Sequence, residues 1–205
     1  TANSATAIGN TAVGHSALAA ATTAASNTAV GYQAAAATTT GAQNTAVGRG
    51  ALNASATAGD DNNTAIGFNA LLLADGGASN TAVGSTAGNA LTTGDNNTAL
   101  GFNALGAAQT VADNVAIGKD ALALNTAAQV TAVGSGALAA NTSGTANTAV
   151  GFEALALSQT AANNTAIGHQ AGDALITGNN TAVGAAALGT TAGADCTAVG
   201  YQAGL

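Results

Sequence analysis

One pattern of polar and apolar residues recurs along the whole chain, in the form Asn-Thr-Ala-Val-Gly. Its closing glycine returns every 16 to 19 residues, which makes twelve copies of a unit of about 17 residues. A fixed period of this kind is typical of a solenoid or another repeat array. We therefore expect a single repeat domain over residues 1–205. The units begin at Asn10, Asn27, Asn44, Asn63, Asn80, Asn97, Asn114, Val130, Asn147, Asn164, Asn180 and Cys196.

The start of each unit has the pattern of a short strand. Counted from the unit's first residue, position 2 is Thr in all but one copy, position 3 is always Ala, position 4 is aliphatic and position 5 is Gly. β-Branched residues two apart share one face of a strand, and the Gly- and Asn-rich stretch that follows is typical of a turn. A helix is disfavoured because one Gly per unit would cost it roughly 1 kcal/mol. The pattern predicts an all-β fold, a β-solenoid or β-roll of about twelve coils.

Differences in unit length are expected to fall in the loops. The largest excess lies among residues 54–62, outside the strand pattern. A slip of one residue within a strand would turn every side chain to the other face. We therefore expect the strands to stay in register. The position-4 side chains are expected to stack inside the solenoid, for example Val30, Val47, Ile66, Val83 and Leu100.

The predicted core is thin, which favours self-association. Each coil offers one aliphatic at position 4, usually a Leu at position 9, and Ala. Burying an aliphatic contributes about 1.5–3 kcal/mol, whereas ordering one residue costs roughly 1–2 kcal/mol. Ala at positions 3 and 8 and Gly at position 5 never vary, which marks close approach of backbones, some of it expected between chains. We expect a parallel homotrimer or a filament.

Position 6 holds every aromatic residue, both histidines and both cations of the chain. A position that accepts Phe, Lys, Ser and Ala alike is expected at the surface. Aromatic rings beside the polar residues of position 7 are typical of a surface that contacts sugars or proteins. The alternative is a structural role, in which the rings shield the Leu of position 9 or fill a groove between chains. The candidate surface-contact row is Tyr32, Phe68, Phe102, Phe152 and Tyr201.

Charge and composition exclude several kinds of partner. The formal net charge is −7, and Arg49 and Lys119 are the two cations. A basic surface for nucleic acid or anionic lipid is therefore missing. No stretch approaches the roughly 18 apolar residues of a membrane-spanning helix, so we expect no membrane insertion.

The sequence offers little reactive chemistry. The loop Asp residues suit solvated turns better than calcium binding, and His15 and His169 lack partners at ligand spacing, so we expect no metal and no cofactor. Nucleophile, base and acid never recur together, which argues against an enzyme. Cys196 takes the place of a repeat Asn and is expected to be a buried free thiol, with an interchain disulfide as the alternative. The Asn of position 1 is expected in a turn or an amide ladder.

The repeat resembles a known kind of fibre protein. Residues 27–34, 97–105 and 147–155 carry the motif Asn-Thr-Ala-Val/Leu-Gly-aromatic-x-Ala, followed in the two later copies by Leu. It resembles repeats of bacterial and phage tail-fibre proteins, and it is similar to the shorter Ala-Ile-Gly repeats in the heads of trimeric autotransporter adhesins. The resemblance implies a trimeric β-roll or β-helix fibre on a cell surface or virion.

Two functions are consistent with these observations. The first is a structural and adhesive extracellular fibre segment, a rigid rod for surface attachment or filament building, with a cell-surface glycan or protein as its partner. The alternative is an ice-binding β-solenoid, because the Thr of position 2 forms a column that orders water if it faces outward. The expectation that Thr faces inward, together with the aliphatic of position 4, counts against this alternative.

Overall fold

The chain is a parallel β-solenoid in a computed structural model that describes residues 7–54, 59–189 and 193–204. Twelve strands of three residues each occur in this part of the chain, one per unit. No helix that is long and apolar enough to cross a membrane occurs there. The strands are β1 (Thr11–Val13), β2 (Thr28–Val30), β3 (Thr45–Val47), β4 (Thr64–Ile66), β5 (Thr81–Val83), β6 (Thr98–Leu100), β7 (Val115–Ile117), β8 (Thr131–Val133), β9 (Thr148–Val150), β10 (Thr165–Ile167), β11 (Thr181–Val183) and β12 (Thr197–Val199).

The strands form one sheet in which each pairs in parallel with its neighbours along the chain. Thr45 pairs with Thr64 across the longest unit, and Thr165 pairs with Thr181 across a short one, so the register is the same throughout. The predicted β-solenoid and the constant register are therefore confirmed. Eleven steps of about 4.8 Å make the stack of strands roughly 53 Å long.

The core consists of small and branched side chains from two sides of each coil. The Ala of position 3 is buried in β2 to β12, and the Ala of position 8 in the first eleven units and the Leu of position 9 are buried as well. A Cβ placed on Gly88, which stands at position 9, would lie 3.0 Å from Leu71 Cδ2 and 3.8 Å from Ala82 Cβ. Position 9 therefore packs against the Ala of position 3 and the position-9 Leu of the preceding coil.

The position-4 aliphatics face outward, contrary to the prediction. Val30, Val47 and Val83 are half-buried, and Ile66 and Leu100 are 38% and 44% exposed. The prediction that these side chains are in register is confirmed, but the prediction that they point into the solenoid is wrong. The reason is the space inside the coil, which the Leu of position 9 occupies, so that only a methyl group fits above it on the strand.

A column of buried asparagines holds successive coils together. The backbone N–H of Asn44 donates to Asn27 Oδ1 at 2.8 Å, and Asn27 Nδ2 donates to the Gly41 carbonyl at 2.8 Å. Both side chains are only 1% exposed. This arrangement confirms the predicted amide ladder and gives the thin core a hydrogen-bonded spine.

The invariant glycines mark close contacts within one chain. A Cβ on Gly31 would lie 2.6 Å from the carbonyl oxygen of Gly48 in the next coil, and the φ of Gly31 is 139°. The Ala of position 3 is likewise buried inside its own solenoid. Since a single chain accounts for these small residues, they no longer support association between chains.

Three non-strand positions in most coils adopt left-handed backbone geometry. Around the sixth coil these are Asn96, which directly precedes it, and Asn103 and Leu105 within it, with φ of 58°, 54° and 54°. Such geometry costs a non-glycine residue roughly 1–2 kcal/mol. Burial of the complete Leu105 side chain offsets that cost, which explains why Leu stands at a corner where Gly would be relaxed.

Two outward surfaces as candidate functional sites

The first candidate surface is the outer side of the sheet, which we call the strand face. It carries the side chains of positions 2 and 4 in two parallel columns, about 6.6 Å apart along the strands. All are exposed or half-buried, so the expectation that Thr faces inward is wrong. The most exposed aliphatics of this face are Val13, Ile66, Leu100, Ile167 and Val199, at 38% to 70%.

The second candidate surface is the row of position-6 side chains, which we call the position-6 row. Its predicted place at the surface is correct. His15 stacks on Tyr32 with ring centroids 5.4 Å apart, and the Arg49 guanidinium lies 5.8 Å from the Tyr32 centroid and 5.5 Å from that of Phe68. Phe152 stacks on His169, also at 5.4 Å. The candidate residues Tyr32, Phe68, Phe102, Phe152 and Tyr201 are 46%, 43%, 52%, 47% and 75% exposed.

Stacking determines which ring surfaces a ligand can reach. His15 stacks on Tyr32 from the preceding coil and Arg49 approaches the same ring from the next coil, so both faces of this ring are partly covered. Arg49 covers one face of Phe68, and His169 covers one face of Phe152. The structure thus groups Tyr32 with Phe68 through Arg49, whereas Phe102 and Tyr201 belong to other stretches of the row.

Polar side chains of position 7 run beside the row and bond to one another between coils. Asn103 Nδ2 donates to Asp120 Oδ1 at 2.9 Å, and Gln170 Nε2 donates to Glu153 Oε2 at 2.8 Å. Asp120 also pairs with Lys119. The hydrogen bond from Lys119, and then that from Asn103, lower the pKa of the Asp120 carboxyl below its usual value.

A cleft of about 660 Å³ opens where the seventh, eighth and ninth coils meet the surface. Its lining includes Ser135, Gly136, Lys119, Glu153 and Leu157. Asp173 lies at its end, where burial first and then the negative charge of Glu153 raise the pKa of the Asp173 carboxyl. The cleft is therefore acidic, with apolar patches.

Loop aspartates form bonds between coils. Asp61 Oδ1 accepts the N–H of Ala42, and Asp95 Oδ1 accepts the N–H of Ala78, both at 2.7 Å. These two carboxylates therefore link neighbouring coils as well as lying at the surface of the loops. In residues 7–54, 59–189 and 193–204, no group of three or more His, Cys, Asp or Glu has the arrangement of a metal site.

Cys196 is a free thiol that is half-buried, so the prediction of a buried thiol is wrong. Its backbone N–H donates to Asn180 Oδ1 at 2.9 Å, which continues the asparagine ladder by one step. Its Sγ lies 3.6 Å from the carbonyl oxygen of Ala194. Cys196 can therefore stand at position 1 because its backbone N–H, and not its side chain, makes the bond to the preceding Asn.

No protein-family model matches the chain, and no curated protein or solved structure matches it either. Function must therefore be inferred from the strand face and the position-6 row. The sequence pointed to the row through its aromatic residues. The Thr and aliphatic columns of the strand face were also visible in the sequence, but they were predicted to face inward.

Proposed function

We propose that the chain is a structural and adhesive segment of an extracellular fibre, a rigid rod on a cell surface or virion. The observation that carries this proposal is the strand face, a continuous parallel sheet with one bare side. Parallel sheets are almost always covered on both faces. In this chain the coil covers only the inner face, while Ile66, Leu100 and Ile167 remain exposed on the outer one.

Other copies of the same chain suit this face best. The aliphatic column repeats in register in all twelve strands, so a partner with the same repeat meets an equivalent residue at each step. Contiguous apolar surface of this kind marks interaction sites. Three strand faces turned toward a common axis bury all three columns, which gives a parallel homotrimer. The resemblance of the repeat to tail-fibre and adhesin-head repeats supports the same assembly.

The test is the mass of the chain in solution at micromolar concentration, measured by light scattering. We expect a trimer for the unmodified chain and a monomer for the triple variant Ile66→Asp, Leu100→Asp, Ile167→Asp. The matched control places the same charges on exposed leucines outside the strand face, at Leu73, Leu124 and Leu157, and remains trimeric. A monomeric unmodified chain with an intact β-sheet circular dichroism spectrum would refute the trimer.

In this proposal the position-6 row stays outside the assembly and contacts a cell-surface glycan or protein. The support is its exposure and its mixture of aromatic and polar side chains, which is common in recognition surfaces. Binding of fluorescently labelled chain to intact host or bacterial cells is the measurement. Attachment that disappears when Phe68, Phe102 and Phe152 are replaced by Ser, with an unchanged melting temperature, supports the row. Unchanged attachment together with a lower melting temperature indicates a structural role.

A second candidate function, ice binding, gains support from the outward Thr column. Position 2 is Thr in eleven of the twelve strands and is exposed or half-buried in each. A flat, regular array of hydroxyl and methyl groups can order water, and the earlier objection of inward Thr does not hold. Thermal hysteresis of the monomeric chain is the test, with Thr64→Tyr and Thr98→Tyr as the disrupting variant. The two functions exclude each other, because a trimer covers the face that ice would require.

A further inference from the structure

The position-6 row is interrupted at regular intervals. Small residues replace its large side chains at Ser85, Ser135 and Ala185, which are 50 residues, or three coils, apart. Position 7 is small in the same coils, where it is Thr86, Gly136 and Ala186. The side chains of positions 6 and 7 are therefore both small in these coils, and each of these coils leaves a gap in the row.

Each gap lies directly between two large side chains. The Thr86 N–H donates to the Phe68 carbonyl at 2.8 Å, and the Asn103 N–H donates to the Ser85 carbonyl at 3.1 Å. The backbone ladder is thus continuous through the gap between Phe68 and Phe102. The other two gaps are enclosed in the same way, by Lys119 and Phe152 around Ser135 and by His169 and Tyr201 around Ala185.

The width of a gap matches one ring. Rings in adjacent coils stack 5.4 Å apart, so side chains two coils apart hold a ligand ring at about that distance from each, within the normal range for ring stacking. The ring faces at two gaps are also available. Arg49 covers the far face of Phe68 and His169 covers the far face of Phe152, so each has its other face directed at a gap.

The cleft described above is independent evidence for one of these gaps. Its lining includes Ser135 and Gly136 of the gap, Lys119 of position 6, and Asp120 and Glu153 of position 7, whereas the Phe152 ring is not part of it. The cleft is thus an open depression that adjoins the gap on its position-7 side and has room for a ligand of one or two rings.

The chemistry around the gaps favours a sugar. Rings lie on both sides of the gaps at Ser85 and Ala185, and one ring, that of Phe152, lies beside the gap at Ser135 opposite Lys119. Hydrogen-bonding side chains of position 7 form the rim, namely Asn69, Asn103, Asp120, Glu153, Gln170 and Gln202. A pyranose has apolar C–H faces and a rim of hydroxyl groups, which complements this arrangement. Acidic sugars are disfavoured by the net charge of −7 and by the adjacent carboxylates of Glu153 and Asp173 at the middle gap.

We propose that the gaps at Ser85, Ser135 and Ala185 are subsites for the pyranose rings of a neutral or amino-sugar glycan. This inference rests on the proposed adhesive function and assigns its ligand class. Successive subsites are three coils apart, about 14 Å along the rod, so one extended glycan chain reaches more than one of them. Simultaneous contact raises the overall affinity above that of a single subsite.

The experiment fills the gaps with a ring that the row itself already uses. The filled variant is Ser85→Tyr, Ser135→Tyr and Ala185→Tyr, and the control variant Ser85→Ala, Ser135→Ala keeps the gaps open. Tetrasaccharides of glucose, galactose and N-acetylglucosamine are titrated by calorimetry into the assembled chain. We expect at least one to bind the unmodified and control chains, and the filled variant to bind it roughly tenfold or more weakly. The melting temperature of the filled variant is expected to be equal or higher, because its added rings stack.

Two outcomes overturn the inference. One is equal binding by the filled and unmodified chains, and the other is no binding of any of the three sugars by the unmodified chain. Cell attachment separates this failure from failure of the proposed function. If the chain forms trimers and attaches to cells but does not bind these sugars, only the subsite proposal is refuted. A chain that neither assembles nor attaches refutes both. Attachment that survives enzymatic removal of cell glycans but is lost in the filled variant identifies a protein partner and also overturns the sugar assignment.

Discussion

The inward and outward columns of the solenoid follow different rules, as the sixth coil shows. Asn97 and Leu105 are buried at 2% and 0% exposure, whereas Leu100 and Phe102 of the same coil are 44% and 52% exposed. The inward columns keep mainly one residue type, Asn at position 1 and Leu at position 9, because each side chain must meet fixed partners above and below. Outward columns need only tolerate solvent. Where an outward column is nonetheless uniform, as on the strand face, its uniformity points to a repeating partner.

The largest effect is expected from breaking an inward column with Asn97→Leu. Asn97 Oδ1 accepts the Asn114 N–H at 3.1 Å, and Asn97 Nδ2 donates to the Val111 carbonyl at 2.8 Å. Leucine has a similar volume but leaves both buried groups without this partner, at a cost of about 1–3 kcal/mol each. Urea unfolding followed by circular dichroism should therefore show a loss of about 2–6 kcal/mol.

Val130→Asn tests the same column in the opposite direction, because it adds an Asn where the column lacks one. Val130 stands at position 1 and is fully buried, and its backbone N–H donates to Asn114 Oδ1 at 2.9 Å. An Asn there adds an acceptor beside the next coil, so we expect a gain of about 1 kcal/mol in the free energy of unfolding. A gain from Asn97→Leu, or a loss from Val130→Asn, would contradict the ladder as the reason for the uniform column.

The next effect compares two leucines of one coil. Leu105→Ala removes a buried side chain and is expected to cost about 2–5 kcal/mol, whereas Leu100→Ala on the strand face costs under about 1 kcal/mol in the monomer. Urea unfolding at a concentration where the chain is monomeric is the measurement. Equal losses would show that the strand is oriented as the sequence first suggested. At higher concentration, a growing penalty for Leu100→Ala would indicate that the strand face is covered by assembly.

The sequence predicted the period, the solenoid and the register, because all three follow from the spacing of Gly31, Gly48 and their equivalents. It did not predict which side of the strand faces inward. In a three-residue strand, hydrophobicity alone selects Val30 and Ile66 for the core, but the available volume decides. The partner that fills this volume is Leu52 or Leu71, at a left-handed corner that sequence signals associate with glycine. Neither this volume nor the corner geometry can be seen in the sequence, because both arise only when the coil closes.

The position-6 row was identifiable from the sequence, but its internal order was not. The residues His15, Tyr32, Arg49 and Phe68 are all of different types, and only the coil spacing shows that they form one stack. The gaps could have been detected, because Ser85, Ser135 and Ala185 are evenly spaced in the chain. Their meaning depends on the large side chains on either side, which only the stacked coils bring together.

A moderate effect is expected within the outward row at Arg49. The guanidinium lies between the rings of Tyr32 and Phe68, and each contact of this kind at an exposed site contributes roughly 0.5–1 kcal/mol. Arg49→Ala removes both contacts and should lower the free energy of unfolding by about 1–2 kcal/mol. Arg49→Lys keeps the charge but loses the planar stacking, so its free energy of unfolding should fall between those of the unmodified chain and Arg49→Ala. A loss as large as that from Leu105→Ala would mean that the outward row is as constrained as the core.

The smallest effect concerns a charge on the outward side, at Asp173. Burial and the charge of Glu153 raise the pKa of its carboxyl in the folded chain, so the folded chain holds the proton to higher pH than the unfolded chain does. Stability therefore falls as the pH rises through this range, and at neutral pH the ionised carboxyl is a cost to the fold. Asp173→Asn should raise the melting temperature slightly at pH 7, and the gain should vanish at acidic pH, where both states of the original chain are protonated. Thermal melts of the two chains at neutral and acidic pH are the measurement, with Asp113→Asn as the control, since Asp113 lies outside the cleft. An equal gain at both pH values would assign the effect to packing rather than to charge.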